Sequence, residues 1–447
     1  MCILDSMHTG SVQTYHYDLP DDKIAKYPLA ERDASKMLLY DGHDITTGCF
    51  RDLHQYLDAS DLLVFNDTKV IPARLIFHKS GGARIEIFCL EPLEPADYQQ
   101  SFQQTGSVVW KCLVGNLKKW KRGDLEQILT NTSESREHLD PAEISQIQPV
   151  HRETPDKAVL RATLVANHPT WQQIRFQWNT QESFAELLDR LGNTPIPPYL
   201  NRKSEPIDNE RYQTVYSRFR GSVAAPTAGL HFTPMVLDRL RAKGISSARI
   251  TLHVGAGTFR PVKSKDFRDH QMHSESFSVT RTFLEQLLCH SGSVVSVGTT
   301  TLRTLESLYW FGLRAFQASD LGPEPWEINQ WEPYNRQINI SLKESLEALL
   351  KYMDLMSLPV FQARTQIMIA PGYEFKVVDK LITNFHQPQS TLLLLVSAFV
   401  GDVWKQIYDY ALSHDYRFLS YGDSSLLVRD QKTPCGTSGT YGTTGNP

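Results

Sequence analysis

The sequence predicts an α/β main domain, α+β in its mixture of strands, with an inserted small antiparallel β-barrel domain. Three observations predict it. Between residues 75 and 180 short alternating strands follow one another with little helix. On either side of that stretch, apolar strands lead into turns and then into helical patterns. The chain has 447 residues, enough for two or three domains and a sizeable core.

Residues 1–14 read as a loose N-terminus. "DLLVFNDTKVIPARLIF" (61–77) is an apolar strand, a polar turn at Asn66, Asp67 and Thr68, and a second extended segment. "GGARIEIFCLE" opens at a Gly-Gly turn and alternates Ile85, Ile87 and Cys89 against Arg84, Glu86 and Phe88, the pattern of a half-buried strand. "SVVWKCLVG" and "AVLRATLVA" continue the strand-rich segment 75–180, with a polar loop expected at 130–148. "SFAELLDRLG" (183–192) is a helix stopped by Gly192, and the prolines of "NTPIPPYLNR" then impose an extended linker.

"ARITLHVGAG" is a strand with Ile250, Leu252 and Val254 on one face and Thr251 and His253 on the other. "SVVSVGTTTLRTLESLYW" is a buried strand, a turn, and a helix with Leu302, Leu305, Leu308 and Tyr309 along one stripe. Trp, Pro and charged residues break the pattern at 311–366, which is expected to be an insertion. The main domain is therefore expected to be discontinuous, 15–74 and 181–430. The Gly/Thr-rich tail 431–447 has nothing to bury and is expected to be disordered.

Net charge is only −4, so nucleic-acid binding would need a local basic patch. Six scattered cysteines without a CxxC pair argue against a disulfide framework or a thiolate zinc site. No signal-peptide pattern opens the chain, and the longest apolar stretch, Leu392–Val400, is too short to span a membrane. A cytoplasmic protein without a membrane partner, and a monomer, is the expectation.

Four features carry candidate chemistry. The helix start after Gly298, with Thr299, Thr300 and Thr301, offers free N–H groups and hydroxyls to a carboxylate or phosphate; a threonine cap on an ordinary turn is the plainer alternative. "HVGAGTF" (253–259) ends a strand carrying His253, and Gly255 and Gly257 permit close backbone approach, although the third glycine of a dinucleotide fingerprint is missing. His231, His253, His270, His273 and His386, with Glu275 in "HQMHSE", suit acid–base work or ligand hydrogen bonding better than a metal, because no HExxH pattern occurs. Basic residues interleave with aromatics in "LKKWKRGD" (117–124) and "SRFRGS" (217–222), where lysines and arginines would meet phosphates and Trp120 or Phe219 would stack on a base. A fifth stretch, "GSVAAPTAGLHFT" (221–233), has no side chain larger than valine up to Gly229 and then sets His231 at its end.

The order of these blocks is more telling than any one of them. "YDLPDDKIAKYPLAERDASKML", "FNDTKVIPARL", "DNERYQTVYSRFRGSVAAPTAGLHFT", "HVGAGTFRPVKSKDFRDHQMHSESF", "VGTTTLRTLES", "PGYEFKVVDKLITNFHQPQSTLLLLVSAF" and "YRFLSYGDSSLL" follow in sequence. Together they closely resemble the S-adenosylmethionine:tRNA ribosyltransferase-isomerase family of queuosine biosynthesis, over about 15–110, 180–310 and 367–428.

The resemblance implies that the ribosyl part of S-adenosylmethionine (AdoMet) is joined to the aminomethyl group of a 7-deazaguanine at the tRNA wobble position. Epoxyqueuosine-tRNA forms, and adenine and methionine are released. AdoMet is then a substrate rather than a bound cofactor, and no metal is implied. On this reading the Thr299–Thr301 helix start, with Arg303, would hold the methionine carboxylate. His253, His273 and Glu275 would be the acid–base candidates, and Asp67 would receive the amine or a ribose hydroxyl. Asn384 and His386 would grip adenine or ribose. Ser222, Ala225, Pro226 and Thr227 would floor a pocket for a flat ligand beside Gly255, Gly257 and Thr258. His231 would read or protonate that ligand's edge, and Arg211, Tyr212 and Gln213 would serve the same wall. Lys118, Lys119, Trp120, Lys121, Arg122, Arg218 and Arg220 would meet tRNA. A non-catalytic tRNA-binding paralogue, a relative acting on a different modified base and a metal-dependent nucleoside hydrolase are the alternatives.

Overall fold

The computed structural model describes residues 10–79, 81–120, 123–129, 157–255, 262, 264–317, 326–335 and 339–429. The expected loop at 130–148 and the tail 431–447 lie outside them. In chain order the strands are β1 Lys36–Tyr40, β2 Ile45–Cys49, β3 Leu62–Asn66, β4 Thr68–Val70, β5 Arg74–His78, β6 Arg84–Glu94, β7 Ser107–Gly115, β8 Leu125–Ile128 and β9 Val159–Asn167. They continue as β10 Gln172–Trp178, β11 Phe219–Ser222, β12 Ser246–Leu252, β13 Glu275–Thr280, β14 Val294–Val297, β15 Glu327–Ile328, β16 Val360–Thr365, β17 Lys380–Asn384 and β18 Ser424–Val428.

A mixed ten-stranded sheet, ordered β15-β16-β13-β12-β3-β14-β17-β18-β1-β2, forms the body. Its centre is four parallel strands, β12, β3, β14 and β17, whose carboxyl ends lie on one side. β3 is buried at every position, as a central parallel strand covered on both faces must be. Strands β5 to β10, consecutive in the chain, form a separate antiparallel sheet ordered β5-β6-β7-β10-β9-β8, barrel-like because its edge strands β5 and β8 approach each other. Its interior is filled by Ile85, Ile87, Trp110, Ile174 and Phe176. A short parallel pair, β4 with β11, sits between the two sheets in the chain path.

The helix expected at 183–192 is Phe184–Leu191, opened by a Ser183/Glu186 capping box and stopped at Gly192. The helix expected after Gly298 is Thr299–Gln317, and every residue from Thr299 to Leu313 is buried. It packs against the helix Leu342–Leu355, and Gly312 is what lets them approach: a Cβ there would lie 2.1 Å from Ser345 Oγ.

Two stretches differ from expectation. The break placed at 311 falls inside the Thr299–Gln317 helix, and the described part of 311–366 is woven into the body. Trp326, Ile328, Leu346, Leu349 and Phe361 belong to the main core, and β16 pairs with β13. Charged residues there occupy the outer face of a helix whose inner face is core, so composition alone misread the segment. Within the N-terminal stretch expected to be loose, Val12 is buried and its N–H donates to the Lys265 carbonyl.

Candidate functional site

The carboxyl ends of β12, β14 and β17 open into a cavity of about 160 Å³. This is where ligands enter open α/β sheets, because the backbone diverges there and helix N-termini face the gap. Ala224–Ala228 form one wall, Gly298–Thr300 with Arg303 a second, and Thr383–Leu392 a third, with His270, His273, Tyr199 and Ser420 completing it.

Gly298 turns the chain from β14 into the helix at φ 94°, a conformation that disfavours a Cβ. The first helical hydrogen bond runs from the Leu302 N–H to the Gly298 carbonyl, so the amides ahead of it have no helical partner. Thr299 and Thr300 line the cavity, whereas Thr301 turns inward and donates to the Val297 carbonyl. One turn on, Arg303 is buried. Its Nη1 donates to Glu275 Oε2 at 2.6 Å and its Nε to the Ile367 carbonyl at 3.1 Å. Its Nη2 is buried without a partner. A donor left unpaired in a buried position costs about 1–3 kcal/mol, which a bound anion would relieve.

Glu275, fully buried at the start of β13, also meets His273 Nε2 at 3.1 Å. Burial alone would raise this carboxyl, but the Arg303 charge and the hydrogen bond from His273 outweigh it and hold it at about 2. A carboxylate so locked is no proton carrier at neutral pH, which corrects the acid–base role expected of Glu275. It instead fixes the His273 ring with Nε2–H toward the carboxylate, leaving Nδ1 as an acceptor on a residue that lines the cavity.

Asn384 ends β17 on the cavity wall. Its Nδ2 donates to the Leu419 carbonyl at 3.1 Å and lies 3.2 Å from His231 Nε2. The Leu419 carbonyl only accepts, so the amide orientation is determined: the NH₂ faces it and the carbonyl Oδ1 is left buried and unpaired. His231 Nε2 must then accept, which puts its proton on Nδ1, 2.8 Å from Ser35 Oγ. Burial, reinforced by Arg417, pushes His231 down to about 3, so it stays neutral. His231 therefore neither protonates a ligand nor lines the main cavity; it orients Asn384. Leu419 and Gln389, both on the cavity wall, adopt left-handed φ of 69° and 58°, strain of the kind that concentrates at binding sites.

Several expected site residues are placed elsewhere. His253 is packed under Gly221 and against Tyr98, ring centroids 4.2 Å apart, with Nδ1 3.1 Å from Thr68 Oγ1; burial lowers it to about 4. It does not line the cavity, because the carboxyl end of β12 is covered on both faces and the polar face there points at other side chains rather than at a ligand. Asp67 is buried and accepts from Thr251 Oγ1 at 2.7 Å, and burial raises its pKa. Ser222 donates to the Ala224 carbonyl and accepts from the Val254 N–H, tying the small-residue loop to the end of β12. Gln213 spends its amide on both backbone groups of Val70. Gly255 lies beside His273 rather than on the wall.

Tyr212, Ala225, Pro226 and Thr227 do line the cavity, as does His386, kept neutral at about 3 by burial and 2.9 Å from Thr383 Oγ1. Of the expected tRNA patch, Trp120 is buried with Nε1 bonded to the Gly123 carbonyl, so it is no stacking platform. Arg220 is paired with Asp189 at 2.7 Å, while Lys118, Lys119 and Arg218 are exposed. Gly257, Thr258, Lys121 and Arg122 lie outside the described residues. Among the described residues no group of three or more His, Cys, Asp or Glu converges as a metal site would. Sequence reasoning missed Tyr199, Leu419 and Ser420. Leu419 and Ser420 lie in the block "YRFLSYGDSSLL" and Tyr199 in "NTPIPPYLNR", and only the fold brings them to the cavity.

Comparison with known proteins shows the family. The family model described as queuosine biosynthesis protein matches residues 12–427. The S-adenosylmethionine:tRNA ribosyltransferase-isomerase of Trichlorobacter lovleyi is 37% identical over 424 residues, covering 93% of this chain and 99% of that protein. A crystal structure of an S-adenosylmethionine tRNA ribosyltransferase from Thermotoga maritima is 28% identical, with a TM-score of 0.42, over 93% of this chain and 99% of that one.

Proposed function

This chain belongs to the queuosine biosynthesis protein family, and from that premise we propose that it is an S-adenosylmethionine:tRNA ribosyltransferase-isomerase. It transfers the ribosyl group of AdoMet to the aminomethyl nitrogen of 7-aminomethyl-7-deazaguanine at the tRNA wobble position. The product is epoxyqueuosine-tRNA, and adenine and methionine leave. One observation carries the assignment of the cavity to AdoMet. Three buried polar atoms without partners belong to residues on its walls, Tyr212 Oη, Arg303 Nη2 and Asn384 Oδ1, and the last two differ in kind. One is a cationic donor suited to a carboxylate, the other a neutral acceptor suited to an amine. AdoMet carries both groups, at opposite ends.

On this reading the methionine carboxylate lies on Arg303 and the free amides of the helix start. The adenine 6-amino group donates to Asn384 Oδ1, and the small side chains Ala224 and Ala225 leave room for the flat ring. The sulfonium faces the rings of Tyr199 and Phe385, which attract a cation. His273 is the base. Its Nδ1 removes a 5′ proton, made acidic by the adjacent sulfonium, and Glu275 stabilises the imidazolium that forms. His231 and His386 remain neutral, so adenine departs by hydrogen bonding rather than by protonation from a histidine. The amine of the tRNA base bonds to the ribosyl carbon as that carbon's bond to adenine breaks, and the proton that the amine sheds goes to adenine; the ylide carbon closes the epoxide as the C–S bond breaks and its electron pair leaves with methionine. We read the barrel-like sheet as a domain inserted at 75–180, with Lys118 and Lys119 turned to tRNA.

Incubating the protein with AdoMet and precursor-bearing tRNA tests this. Adenine and methionine are expected in equal amounts, each matched by one modified tRNA. Binding of tRNA without adenine release would make it a non-catalytic binder. Chelator-sensitive adenine release without tRNA would make it a hydrolase.

A further inference from the structure

A second, smaller pocket opens next to the cavity, lined by Arg32, Arg211, Arg417, Ser35 and His231, with Ser420 shared between the two. Three guanidinium groups converge on it, and their charge is poorly compensated. Arg32 donates only to the backbone carbonyls of Gln213 at 2.7 Å and Glu210 at 3.4 Å. Arg211 donates to the carbonyls of Leu29 and Ala30, and its Nε is buried without a partner. Among the described residues neither meets a carboxylate at ion-pair distance. Arg417 has only Asp423, 3.7 Å away, and that carboxylate already accepts the N–H groups of Lys36 and Arg417.

Three other arginines are closely matched: Arg202 with Asp208 at 2.7 Å, Arg220 with Asp189 at 2.7 Å, Arg303 with Glu275 at 2.6 Å. Burial and the neighbouring Arg211 both press against the charge of Arg32, more than the nearby Glu210 supports it. Holding like charges together in a concave pocket costs stability, and an anion bound between them would offset that cost. Each guanidinium has five N–H donors, so those bonded to backbone retain more to offer.

We propose that this pocket binds a phosphodiester of the tRNA, one adjoining the nucleotide whose base enters the main cavity. The inference rests on the tRNA reading given above. The geometry supports it in two ways. The pocket shares Ser420 as a wall with the cavity, so a phosphate here sits beside the reacting nucleotide. The carboxylate of AdoMet already has its own partners at Arg303 and the helix start, which leaves this pocket to the other anionic substrate. Arg32 and Arg211 also clamp the 29–30 and 210–213 segments together, so the arginines are pre-oriented by backbone bonds.

The experiment measures affinity of the full chain for precursor-bearing tRNA across salt concentrations, with AdoMet affinity measured separately by calorimetry. Arg417→Gln should make the log–log salt slope shallower by about 0.7, the value for one phosphate contact on a single strand, or about 5-fold weaker binding at 0.1 M relative to 1 M salt. Its AdoMet affinity should stay at the wild-type level. Arg417→Lys, which keeps the charge, should restore the slope. Inorganic phosphate should compete with tRNA and leave AdoMet binding untouched. An unchanged slope in Arg417→Gln overturns the proposal. So does a fall in AdoMet affinity with the slope retained, which would assign the pocket to the nucleotide's carboxylate. A wild-type protein with no salt-dependent tRNA binding would instead sink the tRNA reading itself.

Discussion

Glu275→Gln will lower stability by about 3–5 kcal/mol at neutral pH, because it leaves the Arg303 cation buried beside a neutral amide. The loss will depend on pH in a definite sense. The folded-state pKa of Glu275 is about 2, below its ordinary 4.5, so its contribution is fully present above pH 4.5 and is lost as pH falls toward 2. The gap between wild type and variant, read from urea unfolding, should be widest near pH 7 and close below pH 4.5. A gap that does not change with pH would mean that the pair is not held as an ion pair. The same substitution removes the carboxylate that fixes His273, so turnover should fall further than the loss of folded protein explains.

The second large effect concerns what Asn384 recognises. Its NH₂ is committed to the Leu419 carbonyl and to His231, so only its carbonyl oxygen remains for a ligand. Asn384 can accept a hydrogen bond from a ligand there and cannot donate one. An AdoMet analogue with hypoxanthine in place of adenine presents a carbonyl where the amine stood. It should bind about 5- to 150-fold more weakly, from the roughly 1–3 kcal/mol cost of an unpaired buried acceptor. Asn384→Leu should weaken AdoMet and abolish the preference between the two nucleotides. His231→Phe removes the acceptor that helps orient the amide, and should narrow the preference while leaving the cavity its shape. Equal binding of both nucleotides by the wild type would show that Asn384 does not read the amine.

Where local rules decide the structure, it was legible in the sequence. The Gly192 stop, the Gly298 turn and the apolar stripe of Leu302, Leu305 and Leu308 marked their helices, and the alternation of Ile85 and Ile87 marked a barrel-sheet strand. The small residues at 224–228 gave a wall of the cavity. What was not legible depends on long-range packing. A polar residue on a strand face reads as available to a ligand, but the carboxyl end of β12 is covered on both sides, and His253 meets Tyr98. His231 ends a suggestive run, yet its two nitrogens find Ser35 and Asn384, each more than 150 positions away in the chain. Glu275 lies near two histidines in sequence, and only the fold brings Arg303 against it. Trp120 looked like a stacking platform among lysines, but the barrel interior took the ring.

The most direct test of the cavity is a crystal structure of the protein with AdoMet. The account predicts the carboxylate on Arg303 Nη2 and the Thr299–Thr300 backbone, the 6-amino group on Asn384 Oδ1, and the 5′ carbon facing His273. A nucleotide bound away from these three residues, or with its adenine against Arg303, would contradict it.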